Sequence, residues 1–193
     1  MTDNLLLLRR SEIKKEIISE IKEIGEVAVH NVFPDKIKII VKEREPKGIW
    51  CRGTISEMKY CYFLDSTGFI FEDAPEFSDN AFYKFLGLIS KDDPVGEYYL
   101  GDDFMIAYNL MERLKEMSFY PKILYALDNT EYYVYLSGGG KILFNKDKNL
   151  EASLINLQAL VDNKYLKTDE QSIKKIKYID LRFGNKVNFE LQK

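Results

Sequence analysis

The sequence predicts an α+β protein, a small α/β unit followed by a mostly antiparallel β domain with flanking helices. Three observations carry this. Short apolar runs, many alternating with polar residues, recur between turn residues from Glu26 onward, which is the pattern of strands. Aromatic residues are plentiful, with 13 Tyr and 12 Phe, and suit a pleated, half-buried surface. Apolar residues also fall at helical spacing in three separate stretches. With 193 residues, 46% of them hydrophobic and 31% charged, the chain can build one core or two small ones and is too apolar to remain disordered.

Ser11 is the predicted N-cap of the first helix, and Glu12 places a negative charge in its first turn, where the helix dipole favours one. Ile13, Ile17, Ile18, Ile21 and Ile24 mark one helical face, and Gly25 is the predicted stop. "EVAVHNVF" then reads as a strand, Phe33-Pro34-Asp35 as a turn, and "KIKIIVKERE" as a second strand alternating Ile37, Ile39 and Val41 against lysines. Pro46 ends that strand because it cannot donate to a ladder.

Beyond it, "GIWCRG", "MKYCYFLD" and "GFIFED" are short strands, the last two separated by Ser66-Thr67-Gly68. Residues 72–101 read as a long connection holding one short amphipathic piece at 82–89. A helix is expected over 103–117, with Ile106, Leu110, Leu114 and Met117 on its apolar face. "KILYALD", "EYYVYL" and "KILFN" form a meander, "NLEASLINLQALVDN" is a helix, and "IKYIDLRF" and "KVNFEL" are closing strands.

Alternation places Ile179, Leu181 and Phe183 on one face of the closing hairpin, and Val187, Phe189 and Leu191 on one face of its partner. A three-residue loop, 184–186, keeps the two apolar faces together. It sets Phe183 opposite Val187 and Leu181 opposite Phe189, which makes both phenylalanines core residues. Asp180 and Arg182 then share the other face, as a weak solvated ion pair. Pairing "GIWCRG" with "MKYCYFLD" about Ser56 sets Cys51 across from Cys61. Buried free thiols are the reading for a cytosolic protein, and a cross-strand disulfide suits an exported one.

Several function classes find little support. A net charge of −3 with interspersed signs offers no electrostatic footprint for nucleic acid. No membrane-length apolar run or secretory signal is legible, the leading run being only residues 5–8. The lone histidine, His30, has no apparent nucleophile partner, which argues against a histidine-based triad. "SGGGK" lacks Walker spacing and joins two strands, so it reads as a hairpin turn. Asp92-Asp93 and Asp102-Asp103 read as solvated loop residues rather than a paired acid and base. No enzymatic activity, cofactor or metal is expected.

"VFPDKIKIIVKEREPKGIW" resembles the end of the POTRA domain of the bacterial cell-division proteins FtsQ and DivIB, through Phe33, Pro34, Asp35, Ile37, Ile39, Val41, Glu43, Arg44, Pro46 and Trp50. "YCYFLDSTGFIFED" is similar to a β-domain hairpin of that family through Tyr62, Leu64, Asp65, Gly68 and Phe71. "YIDLRFGNKV" resembles its C-terminal signature. The three motifs occur in the family's order. The resemblance implies the C-terminal part of a POTRA domain over residues 1–47 and an FtsQ/DivIB-type β domain over 48–193.

It further implies a non-enzymatic scaffold of the division machinery. Such a protein sits in the cell membrane by a single N-terminal helix, with this region on the extracytoplasmic side at the septum. Its partners would be FtsB/DivIC-like and FtsL-like proteins, linking it to septal peptidoglycan synthesis, with one of them adding a strand to the closing strand. The family's partner-contacting positions fall here on Arg182, Phe183, Asn185 and Phe189. Arg182 would form a salt bridge to an acidic partner residue, while Glu43, Arg44 and Pro46 read as structural. A POTRA domain also has a first strand and first helix. The resemblance therefore implies that the membrane helix and these elements precede the chain, making it a truncated chain or a mis-started reading frame. Two other readings are a POTRA-bearing domain of an outer-membrane assembly or secretion protein, and an extracytoplasmic cell-wall enzyme.

Overall fold

The computed structural model describes residues 9–76, 81–184 and 186–192. The chain divides into two units, Met1–Pro46 and Lys47–Lys193. In the first, helix α1 (Arg10–Glu20) leads into an antiparallel hairpin of β1 (Ile24–Val32) and β2 (Lys36–Glu43), with Val27 opposite Val41 and Val29 opposite Ile39. Ile13, Ile17 and Ile18 are half-buried on α1, as the periodicity predicts, but Ile21 is exposed beyond the helix end and Ile24 belongs to β1. The helix is nevertheless shorter than expected. Ser11 lies inside it, Arg9 takes the cap position without a side-chain bond, and Gly25 lies in β1 rather than ending the helix. Arg44 explains the early exit. Its Nε donates to the Lys22 carbonyl at 2.9 Å and its N–H to the Glu23 carbonyl at 2.7 Å, which holds these carbonyls out of helical pairing. Ile24 then joins the sheet opposite Glu43.

The second unit is an α+β domain built on one mixed, mostly antiparallel sheet. Its strands are β3 (Gly48–Gly53), β4 (Met58–Leu64), β5 (Ile70–Asp73), β6 (Lys84–Leu86), β7 (Pro121–Ala126), β8 (Glu131–Leu136), β9 (Lys141–Asn145), β10 (Ile176–Asp180) and β11 (Asn188–Leu191). Among the described residues these nine strands run in the order β11-β10-β9-β8-β7-β6-β3-β4-β5. The pairs β3/β6, β6/β7 and β9/β10 are parallel and the rest antiparallel. Helix α2 (Phe104–Glu116) lies over β7 and α3 (Leu150–Asp162) over β9, and a short helix α4 (Glu170–Ile173) precedes β10.

Strand alternation builds the core directly. Leu124, Val134, Ile142 and Ile179 are register neighbours on four adjacent strands, and all are buried in one cluster with Leu110, Leu114, Leu154 and Leu157 of the helices. The neighbouring row, Tyr125, Tyr133, Leu143 and Asp180, points to the opposite face. Burying a leucine of this cluster contributes about 1.5–3 kcal/mol.

Two expectations change here. Residues 84–86 form a strand inside the sheet, between β3 and β7, and not a piece of a connection. Three residues are too few to show a period. What makes room for this strand is Gly48, where a Cβ would stand 2.6 Å from the Phe85 ring. On α2 the buried residues are Phe104, Ala107, Leu110, Met111 and Leu114, while Ile106 is exposed. The apolar face is thus turned toward Phe104, whose ring packs edge-on against Phe85 at 5.1 Å. The glycine run 138–140 is the β8–β9 turn, and a Cβ on Gly140 would lie 2.3 Å from the Ile176 carbonyl oxygen.

Candidate docking edge

A nine-stranded open sheet has two edges, and they are treated differently. At β5 the segment 96–99 lies alongside. The Ile70 N–H donates to the Glu97 carbonyl at 2.9 Å, the Gly96 N–H to the Ile70 carbonyl at 2.8 Å, and the Tyr99 N–H to the Gly68 carbonyl at 2.8 Å. At the other end, β11 bonds to β10, and no other described backbone segment lies on its outer side. Sheet proteins guard such an edge with short strands, lysines, proline or a bulge; here β11 is four residues long and one register irregularity falls between Ile176 and Tyr178 of β10. The outer strand here reads Asn188-Phe189-Glu190-Leu191, and its one charge is committed to Lys177 at 2.9 Å. Phe189 and Leu191 are 39% and 47% exposed.

The connection into this strand differs from the sequence expectation. Strand β10 stops at Asp180, with Ile179 opposite Phe189 and Asp180 opposite Asn188, so residues 181–187 form the link. Neither Phe183 opposite Val187 nor Leu181 opposite Phe189 occurs. The cause is local. The Oδ1 of Asp180 accepts the Arg182 N–H at 3.0 Å, a side-chain-to-backbone turn that breaks the strand after one more residue. Leu181 still bonds to the Leu143 carbonyl at 2.9 Å and remains buried, but Phe183 emerges from the fold and is 62% exposed. The reading of Phe183 and Phe189 as core residues is therefore corrected. Asn185 lies outside the described residues.

Arg182 is the best-held side chain of the region. Its Nε donates to Asp180 Oδ1 at 3.0 Å, its Nη2 to Asp180 Oδ2 at 2.8 Å, and its Nη1 to Glu131 Oε2 at 3.0 Å. The guanidinium carbon stands 6.0 Å from the Tyr133 ring centre and 5.6 Å from that of Phe183. Burial alone would raise the Asp180 pKa. The side-chain and backbone hydrogen bonds from Arg182, with its charge, outweigh burial and hold the carboxyl below the usual aspartate range. The pair is thus not the solvated one expected, since Asp180 is buried. Glu131 precedes Arg182 by 51 residues, and no spacing rule could have linked them.

Beside this clamp, Lys148, Arg182, Phe183, Gly184, Lys186 and Asn188 line a crevice at the start of β11. The loop wall is tied to α3, where Ser153 Oγ donates to the Leu181 carbonyl at 3.4 Å and Asn156 Nδ2 to the Gly184 carbonyl at 3.4 Å.

The remaining sequence candidates lie elsewhere. Cys51 and Cys61 are register partners on β3 and β4, with their Cα atoms 4.1 Å apart, and they form a disulfide. His30 is exposed on β1. Asp92 pairs with Arg52, while Asp103 pairs with Lys146. Among the described residues no cluster of three or more His, Cys, Asp and Glu side chains is placed to hold a metal, and no described helix is long and apolar enough to cross a membrane. No family model matches this chain, and no curated protein matches it.

Proposed function

We propose that this protein is a non-enzymatic docking scaffold that receives a strand from a partner on β11. The open edge carrying exposed Phe189 and Leu191 supports this reading most directly. An extended segment added there would pair its backbone with the free N–H and C=O groups of β11 and cover the two apolar side chains. Backbone pairing supplies affinity with little sequence demand, and alternate side chains supply selection. Phe183 lies at the same end of the edge, within reach of the incoming segment.

The motif resemblance supports reading the protein as a divisome scaffold of the FtsQ/DivIB kind. In this reading Met1–Pro46 is the C-terminal part of a POTRA domain, and the larger unit is the β domain that meets FtsB/DivIC-like and FtsL-like partners. The protein would be anchored in the cell membrane by a single N-terminal helix and would act outside the cytoplasm at the septum. The Cys51–Cys61 disulfide fits such an oxidising compartment.

The test is calorimetric titration of the chain with the extracytoplasmic segment of the FtsB/DivIC-like protein of the same organism. Phe189→Lys/Leu191→Lys, which puts the usual guarding charge on the edge, is titrated beside it. Saturable binding that the double variant weakens at least about tenfold, roughly 1.4 kcal/mol, is the expected result. A wild-type chain that does not bind, or a double variant that binds equally well, overturns the proposal.

A further inference from the structure

The crevice at the start of β11 holds three cations, and they are not equivalent. Arg182 is consumed by the carboxylates of Asp180 and Glu131, through three hydrogen bonds of 2.8–3.0 Å. A visiting carboxylate would have to compete with two resident ones already bonded to the guanidinium. Lys148 and Lys186 are different. Both are exposed, and among the described residues neither forms an ion pair.

The two lysines come from different parts of the chain. Lys148 sits in the turn between β9 and α3, where its N–H meets Asn145 through both the carbonyl oxygen at 3.2 Å and Oδ1 at 3.3 Å. The next residue, Asn149, caps α3 by accepting the Ala152 N–H at 2.9 Å. Lys186 stands two residues before Asn188, the first residue of β11. The lysines thus flank the end of the open edge, next to exposed Phe183.

Resting on the reading of β11 as a docking edge, we infer that the docking segment carries a carboxylate at the end lying over the 181–187 link, and that Lys148 and Lys186 receive it in place of Arg182. The occupant is an extended acidic-ended peptide segment with apolar residues at alternate positions. Phe189 and Leu191 take its apolar side chains, while the lysines fix its direction and register along the edge. A strand with a cation at that end would face two unneutralised lysines and be disfavoured, so the pair selects as well as attracts. Because both lysines are solvent-exposed, the attraction is screened by salt.

The experiment titrates the same partner segment into the full chain and into Lys148→Gln/Lys186→Gln, at low and at high salt. The double variant should bind about three- to tenfold more weakly at low salt, the range of one to two exposed ion pairs. The gap should narrow at high salt, and the melting curve should remain at the wild-type position. A segment whose acidic end is replaced by Gln should lose the same factor against wild type and nothing further against the variant. If the double variant binds as tightly as wild type with the same salt dependence, the lysine assignment is wrong while the docking edge stands. If wild type does not bind the segment, the edge reading fails and this inference fails with it.

Discussion

Replacing Arg182 by Ala tests whether this side chain is a clamp of the folded domain. The guanidinium makes three charge-assisted hydrogen bonds, two to a buried aspartate and one across the sheet to Glu131. Breaking a fully buried pair costs about 3–5 kcal/mol and an exposed one about 0–1 kcal/mol. The Arg182 side chain is 25% exposed and that of Asp180 11%, which places the site between these limits. Arg182→Ala should therefore lose about 2–3 kcal/mol, or about 5–10 °C in Tm for a unit of this size. Urea unfolding followed by circular dichroism reads the loss directly. The pH dependence supplies a second check. The Asp180 pKa is depressed in the folded state, so its stabilisation is present above the unfolded aspartate value of about 3.9 and is lost as pH falls through the folded value. The gap between wild type and variant should consequently shrink in acid. A loss under about 0.5 kcal/mol at neutral pH, within the range of ordinary surface substitutions, would refute the clamp. So would a gap that stays constant into acid. Charge reversal at Arg182 would therefore mix folding with docking, whereas Phe189, Leu191, Lys148 and Lys186 lie outside the clamp.

Further outcomes follow from other parts of the domain. Glu131→Gln should cost less than Arg182→Ala, and the two together should be less than additive in urea unfolding, because both break one network. Cys51→Ser/Cys61→Ser frees a ten-residue separation in the unfolded chain and should cost about 2.5–3 kcal/mol by loop entropy, read as a denaturation midpoint shift that reductant reproduces in the wild type. Gly140→Ala forces a methyl against the Ile176 carbonyl, and should destabilise by about 2 kcal/mol or more, measured by thermal melting. Leu157→Ala opens a cavity between α3 and the sheet, and a loss of about 2–5 kcal/mol is expected in the same assay.

Much of the architecture was legible from the chain alone, because alternation and turn chemistry are local. The meander β7–β9, helices α2 and α3, and the facing of Cys51 and Cys61 each rest on residues close in sequence, and the structure places them as expected. Strand β6 was not legible: three residues carry no period, and its neighbours β3 and β7 lie far away along the chain. The same holds at the edge. The motif resemblance drew attention to Arg182, Phe183 and Phe189, while alternation read the phenylalanines as core; the register depended on where β10 stops. A turn closed by the Asp180 side chain ends it, and alternation does not record such turns. That the start of β5 is bonded by another segment while β11 is open, that Glu131 holds Arg182, and that Lys148 and Lys186 line one crevice are all consequences of the tertiary fold. The sequence by itself determined most of the longer strands and helices, since those choices are made within a few residues. The tertiary structure alone decided which edge is left open and which cations remain uncommitted, because both depend on contacts between residues that only the folded sheet brings together.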